Sequence, residues 1–182
     1  MTPYLGQDAR VFKCPTDTRL GKNSAASTSG QIVASARTVS LNGAVGTNPY
    51  KVGGKAAVDG AWLDGLHGHT ANKTWYCYAR TSDFVRPGPS RTLTFIEEDV
   101  YSLNDGILGA MGPNAPASYK MIDWPLTYHD MAGAVTFADG HVEIHRWADN
   151  RTIAAPALTV VVQPYSADLS WLADHATARI RP

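Results

Sequence analysis

The stretch YHDMAGAVTFADGHVEIHRW, Tyr128–Trp147, sets three of the chain's six histidines and three acidic residues within twenty positions. Its centre, Asp139-Gly140, is a turn dipeptide between β-rich flanks. Glycine takes the positive φ of a type I′ turn freely, and aspartate tolerates it. A two-residue loop at this point places Phe137 opposite Val142, Thr136 opposite Glu143 and Val135 opposite Ile144. Side chains alternate along a strand, so this register collects Val135, Phe137, Val142 and Ile144 on one face. Burial of that face is expected to contribute roughly 1.5–3 kcal/mol per side chain before entropy is counted. Ala138, Thr136, His141, Glu143 and His145 fall on the other face, which is expected to be polar and solvated.

The row His141, Glu143, His145 has the donor types that suit zinc or copper. Residues two apart on a strand are about 6.6 Å apart, however, a loose fit to one ion without a bend. His141-Val142-Glu143 matches half of a zinc deaminase signature, but the Pro-Cys-x-x-Cys half is missing. His67 and His69 form a second candidate ligand pair in a glycine-rich loop. The chain has no Gly-x-Ser-x-Gly elbow, phosphate-binding glycine loop or His-Glu-x-x-His helix. No catalytic residue is assigned, and the expectation is a protein that is not an enzyme.

At 182 residues and 44% hydrophobic content the chain fits one globular domain, residues 1–182, with a substantial core. Sixteen basic residues balance sixteen acidic ones, leaving no electrostatic footprint for nucleic acid. No window approaches the roughly 18–20 apolar residues that span a bilayer. The opening MTPYLGQDARVFKCP lacks the basic and apolar regions of a signal peptide. Sixteen glycines and eleven prolines predict many short strands and turns, with helix in the minority. Cys14 and Cys77 fit either two buried thiols or one disulfide.

Extended segments are expected over 31–43, 74–80, 91–98 and 157–164, and loops over 21–30, 43–70 and 104–118. SADLSWLADHAT, 166–177, predicts a helix with Ser166 as N-cap and Leu169, Leu172 and Ala173 along one stripe.

His129 is followed by nine residues and then Asp139-Gly140. Together with the text FADGHV and the later Trp147, this closely resembles the His, nine residues, Asp-Gly motif of a prepilin-type protein family. Further pieces stand in family order. CPTD, 14–17, is similar to the segment that follows the family's long N-terminal helix. ARTVSLNG, 36–43, looks like its Ser-Tyr-x-Met-Asn-Gly strand. SDFVRPGPSRTLTFIEE, 82–98, resembles the segment that reaches an acidic pair, here Glu97-Glu98. SLNDG, 102–106, matches an Asn-Asp-Gly loop, and DLSWLADHAT, 168–177, resembles the closing Asp-x-x-Trp-Leu helix. The likeness is weakest between Gly43 and Ala71.

The resemblance implies an α+β, pilin- or pseudopilin-like head with an antiparallel sheet, long irregular loops and short helices. The family's apolar N-terminal helix, which would tether the native protein, is not in this sequence, whose Met1 is then an expression start. Implied with it are a non-enzymatic role in a type II secretion or type IV pilus-like assembly and other pilin-like subunits as partners. The implied location is the periplasmic or extracellular side of the inner membrane, with the present chain soluble and monomeric. That setting favours a Cys14–Cys77 disulfide. Major pseudopilins bind calcium near their sheet, and Glu97, Glu98, Asp99, Asn104 and Asp105 are the hard oxygen donors that would do so here. His129, Asp139 and Gly140 take a structural role, His129 bonding backbone or turn groups where the chain enters the hairpin.

Two other functions compete with this one. A carbohydrate-binding module would stack sugars on Trp62, Trp75 and Trp124. A metal-dependent hydrolase would use His129, His141, His145 or the His67/His69 pair.

Overall fold

A computed structural model describes residues 8–22, 29–35, 37–46, 75–76, 78–103, 106–111, 116–154 and 160–180. The fold is mixed α+β, built on a mostly antiparallel sheet with few helices. Ten strands occur among the described residues: β1 (Leu20–Lys22), β2 (Ile32–Ala34), β3 (Val39–Asn42), β4 (Leu93–Glu97), β5 (Ile107–Leu108), β6 (Ala110–Met111), β7 (Lys120–Met121), β8 (Ala132–Phe137), β9 (Val142–Arg146) and β10 (Val161–Val162). Two α-helices join them, α1 (Asn150–Ile153) and α2 (Ala167–Ala176). The central sheet has the order β5-β3-β4-β8-β9, antiparallel throughout except for the β3–β5 pair. A three-stranded sheet, β10-β7-β6, and the β1–β2 pair complete the strand pairing.

β3, β4 and β10 lie inside the extended segments expected from sequence, and α2 begins where Ser166 was expected to cap it. The Ser166 hydroxyl accepts the Leu169 N–H at 3.4 Å. Leu169, Leu172 and Ala176 are buried against the sheet. β1, β5 and β6 occupy or enter segments expected to be loops; their two or three residues each are too few to show a period of two. Among the described residues of the expected strand 74–80, Trp75 and Tyr78 form isolated bridges, to Arg179 and Val45.

The β8–β9 hairpin differs from the expected register by one residue. Thr136 pairs with Val142, Val135 with Glu143, Ala134 with Ile144 and Gly133 with His145. The cause is the turn. Gly140 has φ +93°, whereas Asp139 is absent from the positive-φ residues, so a type I′ turn with two left-handed positions is not made. Instead Phe137 and His141 close a three-residue loop, Phe137 N–H donating to His141 O and Gly140 N–H to Phe137 O, both at 3.0 Å. Asp139 locks this loop by accepting from the His141 N–H at 3.1 Å and from its Nδ1 at 2.6 Å. Those two bonds hold the Asp139 carboxyl below the usual carboxylate range, the backbone one most strongly.

A one-residue slip exchanges the faces of a whole strand. Val135 and Phe137 are buried as expected, but Val142 and Ile144 are each 59% exposed and lie on the opposite face. His141, Glu143 and His145 therefore share the core-side face with Val135 and Phe137. The expectation of a solvated row holds for His141 and Glu143, which remain exposed, and is corrected for His145, which is half-buried. His141 stacks on Phe137 with centroids 4.2 Å apart, and His145 stacks on Trp171 at 3.7 Å. Trp171 stacks in turn on His175 at 4.2 Å, and His175 meets the edge of Phe137 at 6.0 Å. His145 from the hairpin and His175 from the helix thus join the two elements.

The sheet thus has two unlike faces. Toward α2 it presents Leu93, Ile96, Leu108 and Val135, none measurably exposed. Toward the other side one row crosses the sheet, Ile107–Leu41–Phe95–Thr136–Val142, with the pairs Val39–Glu97 and Ala134–Ile144 beside it. Apart from buried Glu97, those residues are half-buried or exposed.

Candidate functional site

The β4–β8 ladder ends at Ile96–Val135, after a bulge at Thr94 where the Thr136 hydroxyl takes over the Phe95 N–H at 3.1 Å. Beyond that point the strands fork. β4 continues alongside Pro125 and Leu126, with Leu126 N–H donating to Glu97 O at 2.8 Å. The chain then turns through 127–131, with Asp130 and Met131 at φ +55° and +62°, before β8 begins. His129 sits in this turn, and its ring reaches into the fork.

Its Nε2 lies 3.2 Å from Glu97 Oε2 and 3.5 Å from Cys14 Sγ. The expected role for the ring, bonding backbone or turn groups, is replaced by contacts to two side chains distant in sequence. The His129 N–H does serve the turn, donating to Ala132 O at 3.2 Å. Glu97 is held by the Ala134 N–H, which donates to the same Oε2 at 2.8 Å and so takes the place of a ladder bond past the fork. Cys14 is held by its own N–H, which donates to Thr38 Oγ1 at 2.7 Å, and its sulfur lies 3.0 Å from Thr16 Oγ1. Cys14 and Glu97 are buried, and the His129 side chain is 30% exposed.

A second cluster abuts the first. Arg19 donates to Asp17 Oδ1 and to Asp99 Oδ1, both at 3.0 Å, and lies over the Tyr128 ring at 4.3 Å. The Asp17 and Asp99 side chains are almost wholly buried. Three stretches that are separate in sequence therefore meet at one corner: Cys14 to Arg19, Glu97 to Asp99, and Tyr128-His129. The spacing of each motif was visible in the sequence, but no local pattern signals that they touch.

Asp139 and Gly140 do not belong to this corner. They close the far end of β8 and serve the hairpin loop. Glu97, Glu98 and Asp99 do not converge either. Glu97 faces His129, Asp99 faces Arg19 and the Tyr101 N–H, and Glu98 accepts from Ser40 and Ser102. Burial pushes the Glu98 carboxyl up to about 8, with the hydroxyl of Ser40 opposing the shift, so it is largely neutral at pH 7. Asn104 and Asp105 lie outside the described residues.

Of the expected Cys14–Cys77 pair, Cys14 is a buried free thiol, and Cys77 lies outside the described residues. Trp62, His67 and His69 also lie outside them. Trp75 and Trp124, expected as sugar platforms, are only 7% and 3% exposed, and Arg179 lies 5.5 Å from the Trp75 ring. Neither offers a free face for stacking.

The Cys14–His129–Glu97 geometry is not that of a nucleophilic relay. In such a relay the carboxylate holds one ring nitrogen while the other faces the nucleophile. Here both Oε2 and Sγ approach the same nitrogen, Nε2. Three donor atoms converge on one point.

No protein-family model, curated protein or solved structure matches the chain.

Proposed function

We propose that this domain is a non-enzymatic, pilin- or pseudopilin-like structural subunit of a type II secretion or type IV pilus-like assembly, working on the outer side of the inner membrane. The observation that carries the reading is the second sheet face. Leu41, Phe95, Ala134, Val142 and Ile144 form an apolar surface that is half-buried or exposed among the described residues. A sheet with two apolar faces needs a partner on each. α2 covers one. The long apolar helix that the motif resemblance implies would cover the other, and through it the head would join other subunits. The His-turn-strand-turn text, His129 to Gly140, supports the same reading, because it builds the fork and the loop at the two ends of β8.

The test is photo-crosslinking from Val142 and Ile144, each replaced by a benzophenone amino acid in the product of the complete open reading frame, followed by membrane fractionation. Crosslinks to an apolar helix of the same chain or of a like subunit, found in the envelope fraction, are expected. A product confined to the cytosol, with no crosslink from either position, overturns the proposal.

A further inference from the structure

We propose that Cys14, Glu97 and His129 form a binding site for one divalent transition-metal ion of the zinc class. Sulfur, imidazole nitrogen and carboxylate oxygen are the three donor types zinc takes from proteins. Their donor atoms all lie within 4.8 Å of one another. A tetrahedral centre with bonds of ~2.3 Å to sulfur and ~2.0–2.1 Å to nitrogen and oxygen requires S···N near ~3.5 Å and N···O near ~3.3 Å. The observed separations are 3.5 Å for Sγ to Nε2 and 3.2 Å for Nε2 to Oε2. Calcium fits badly, since two of the three donors are soft or borderline and calcium takes six to eight oxygens.

The surroundings are those of a supported site. Ala134 N–H donates to the Glu97 oxygen, and Thr16 Oγ1 lies against the sulfur, so both ligands are fixed from behind. Such outer contacts orient ligands and raise affinity. Cys14, Glu97 and Ala134 also line a groove of about 170 Å³. The ion would join three segments through single atoms: the chain before β1, the end of β4 and the turn before β8.

The test uses the full chain under a non-chelating reductant, first stripped of metal and then titrated with Zn²⁺ against a chromophoric chelator and, separately, with Co²⁺. One equivalent of metal should bind. The Co²⁺ form should show a thiolate-to-metal charge-transfer band in the near ultraviolet and the intense visible bands of a four-coordinate site. Cys14→Ser should abolish the charge-transfer band, and Glu97→Gln and His129→Gln should each weaken binding at least tenfold. The wild-type Co²⁺ spectrum needs no variant to fold, so absence of the thiolate band overturns the proposal, as does stoichiometric binding that persists in Cys14→Ser/His129→Gln. The outcome is independent of the crosslinking result.

Discussion

His145 lies flat on Trp171, ring centroids 3.7 Å apart and planes inclined by 21°, and this contact joins the edge strand β9 to the helix α2. Trp147 adds an edge against both rings, at 4.7 Å to His145 and 6.1 Å to Trp171. The imidazole is thus used as an aromatic slab.

That use has a pH consequence. Burial lowers the His145 pKa from 6.5, against the pull of Asp168 and Glu143 and with a smaller push from His175. The folded value is depressed, so the unfolded chain binds more protons in the window between the two values. Stability is then fully present above about pH 6.5 and falls as the pH drops toward the folded value. Glu98 changes stability in the opposite sense over the same range, so denaturant titrations from pH 7.5 to 5 should show the His145 loss as a difference between the wild type and a His145 variant. His145→Phe should show less of it, because the slab is kept and the titration removed. Equal slopes in the two proteins would rule out His145 as the source.

Glu98 gives the opposite sign. Its folded value is about 8 against an ordinary 4.5, so its contribution is fully present below pH 4.5 and lost as the pH rises through 8. By linkage the loss between pH 5 and 9 amounts to a few kcal/mol. Glu98→Gln keeps the shape and the acceptor for the Ser102 hydroxyl while removing the charge. The variant should be less stable than wild type near pH 5 by no more than about 1 kcal/mol, a lost hydrogen bond at most. It should be the more stable of the two at pH 9, and urea midpoints at both values check this.

The hairpin register predicts an asymmetry between two pairs of apolar residues. Val135→Ala and Phe137→Ala open cavities in the core and should cost about 2–5 kcal/mol each. Val142→Thr and Ile144→Thr touch exposed side chains on an edge strand and should stay within about 0.5 kcal/mol in the isolated chain. Under the two-residue turn all four would have been costly, so equal losses from both pairs would refute the observed pairing.

The hairpin also marks how far sequence reading reaches. Asp139-Gly140 located the reversal, and Ser166 with its leucine spacing located α2, because both signals lie within a few residues of what they specify. Register was another matter. In β9 the alternation pointed Val142 and Ile144 at the core, yet the backbone at Asp139 and ring stacking on Trp171 turned the other face inward. The corner site lay further out of reach. Cys14 and His129 are 115 positions apart, and nothing near either residue encodes the other. The motif spacing singled out His129, and the acidic run singled out Glu97, but Cys14 was read for a disulfide rather than as the neighbour of both.

Gly133 reports on the fork that positions His129. A Cβ at this position would stand 2.7 Å from Leu126 O, the same oxygen that accepts the Trp147 Nε1–H at 2.9 Å. The obstacle is backbone, so it cannot rotate away. Gly133→Ala should therefore cost about 1–3 kcal/mol, the range for overpacking a tight interior. It should also perturb the Trp147 environment, read as a shift in tryptophan fluorescence before any unfolding. Gly88, which has open space at its own Cβ position, serves as the control, since Gly88→Ala should leave fluorescence unchanged.

Arg19 supplies the positive charge at the corner. It is the guanidinium on Asp17 and Asp99, lying 4.3 Å from the centroid of the Tyr128 ring, and its own side chain is 22% exposed. Removing it leaves two carboxylates in a largely buried place without that counter-charge, and breaking one side of a buried pair typically costs about 3–5 kcal/mol. Arg19→Ala should fall in that range. Arg19→Lys should recover only part of the loss, because an ammonium lacks the planar fork that reaches both carboxylates and the flat face that lies on the ring. Chemical denaturation of the three proteins at pH 7 measures the loss and its partial rescue. Full rescue by lysine would mean that charge alone, without the stacking and the forked hydrogen bonds, holds the chain before β1 against the end of β4.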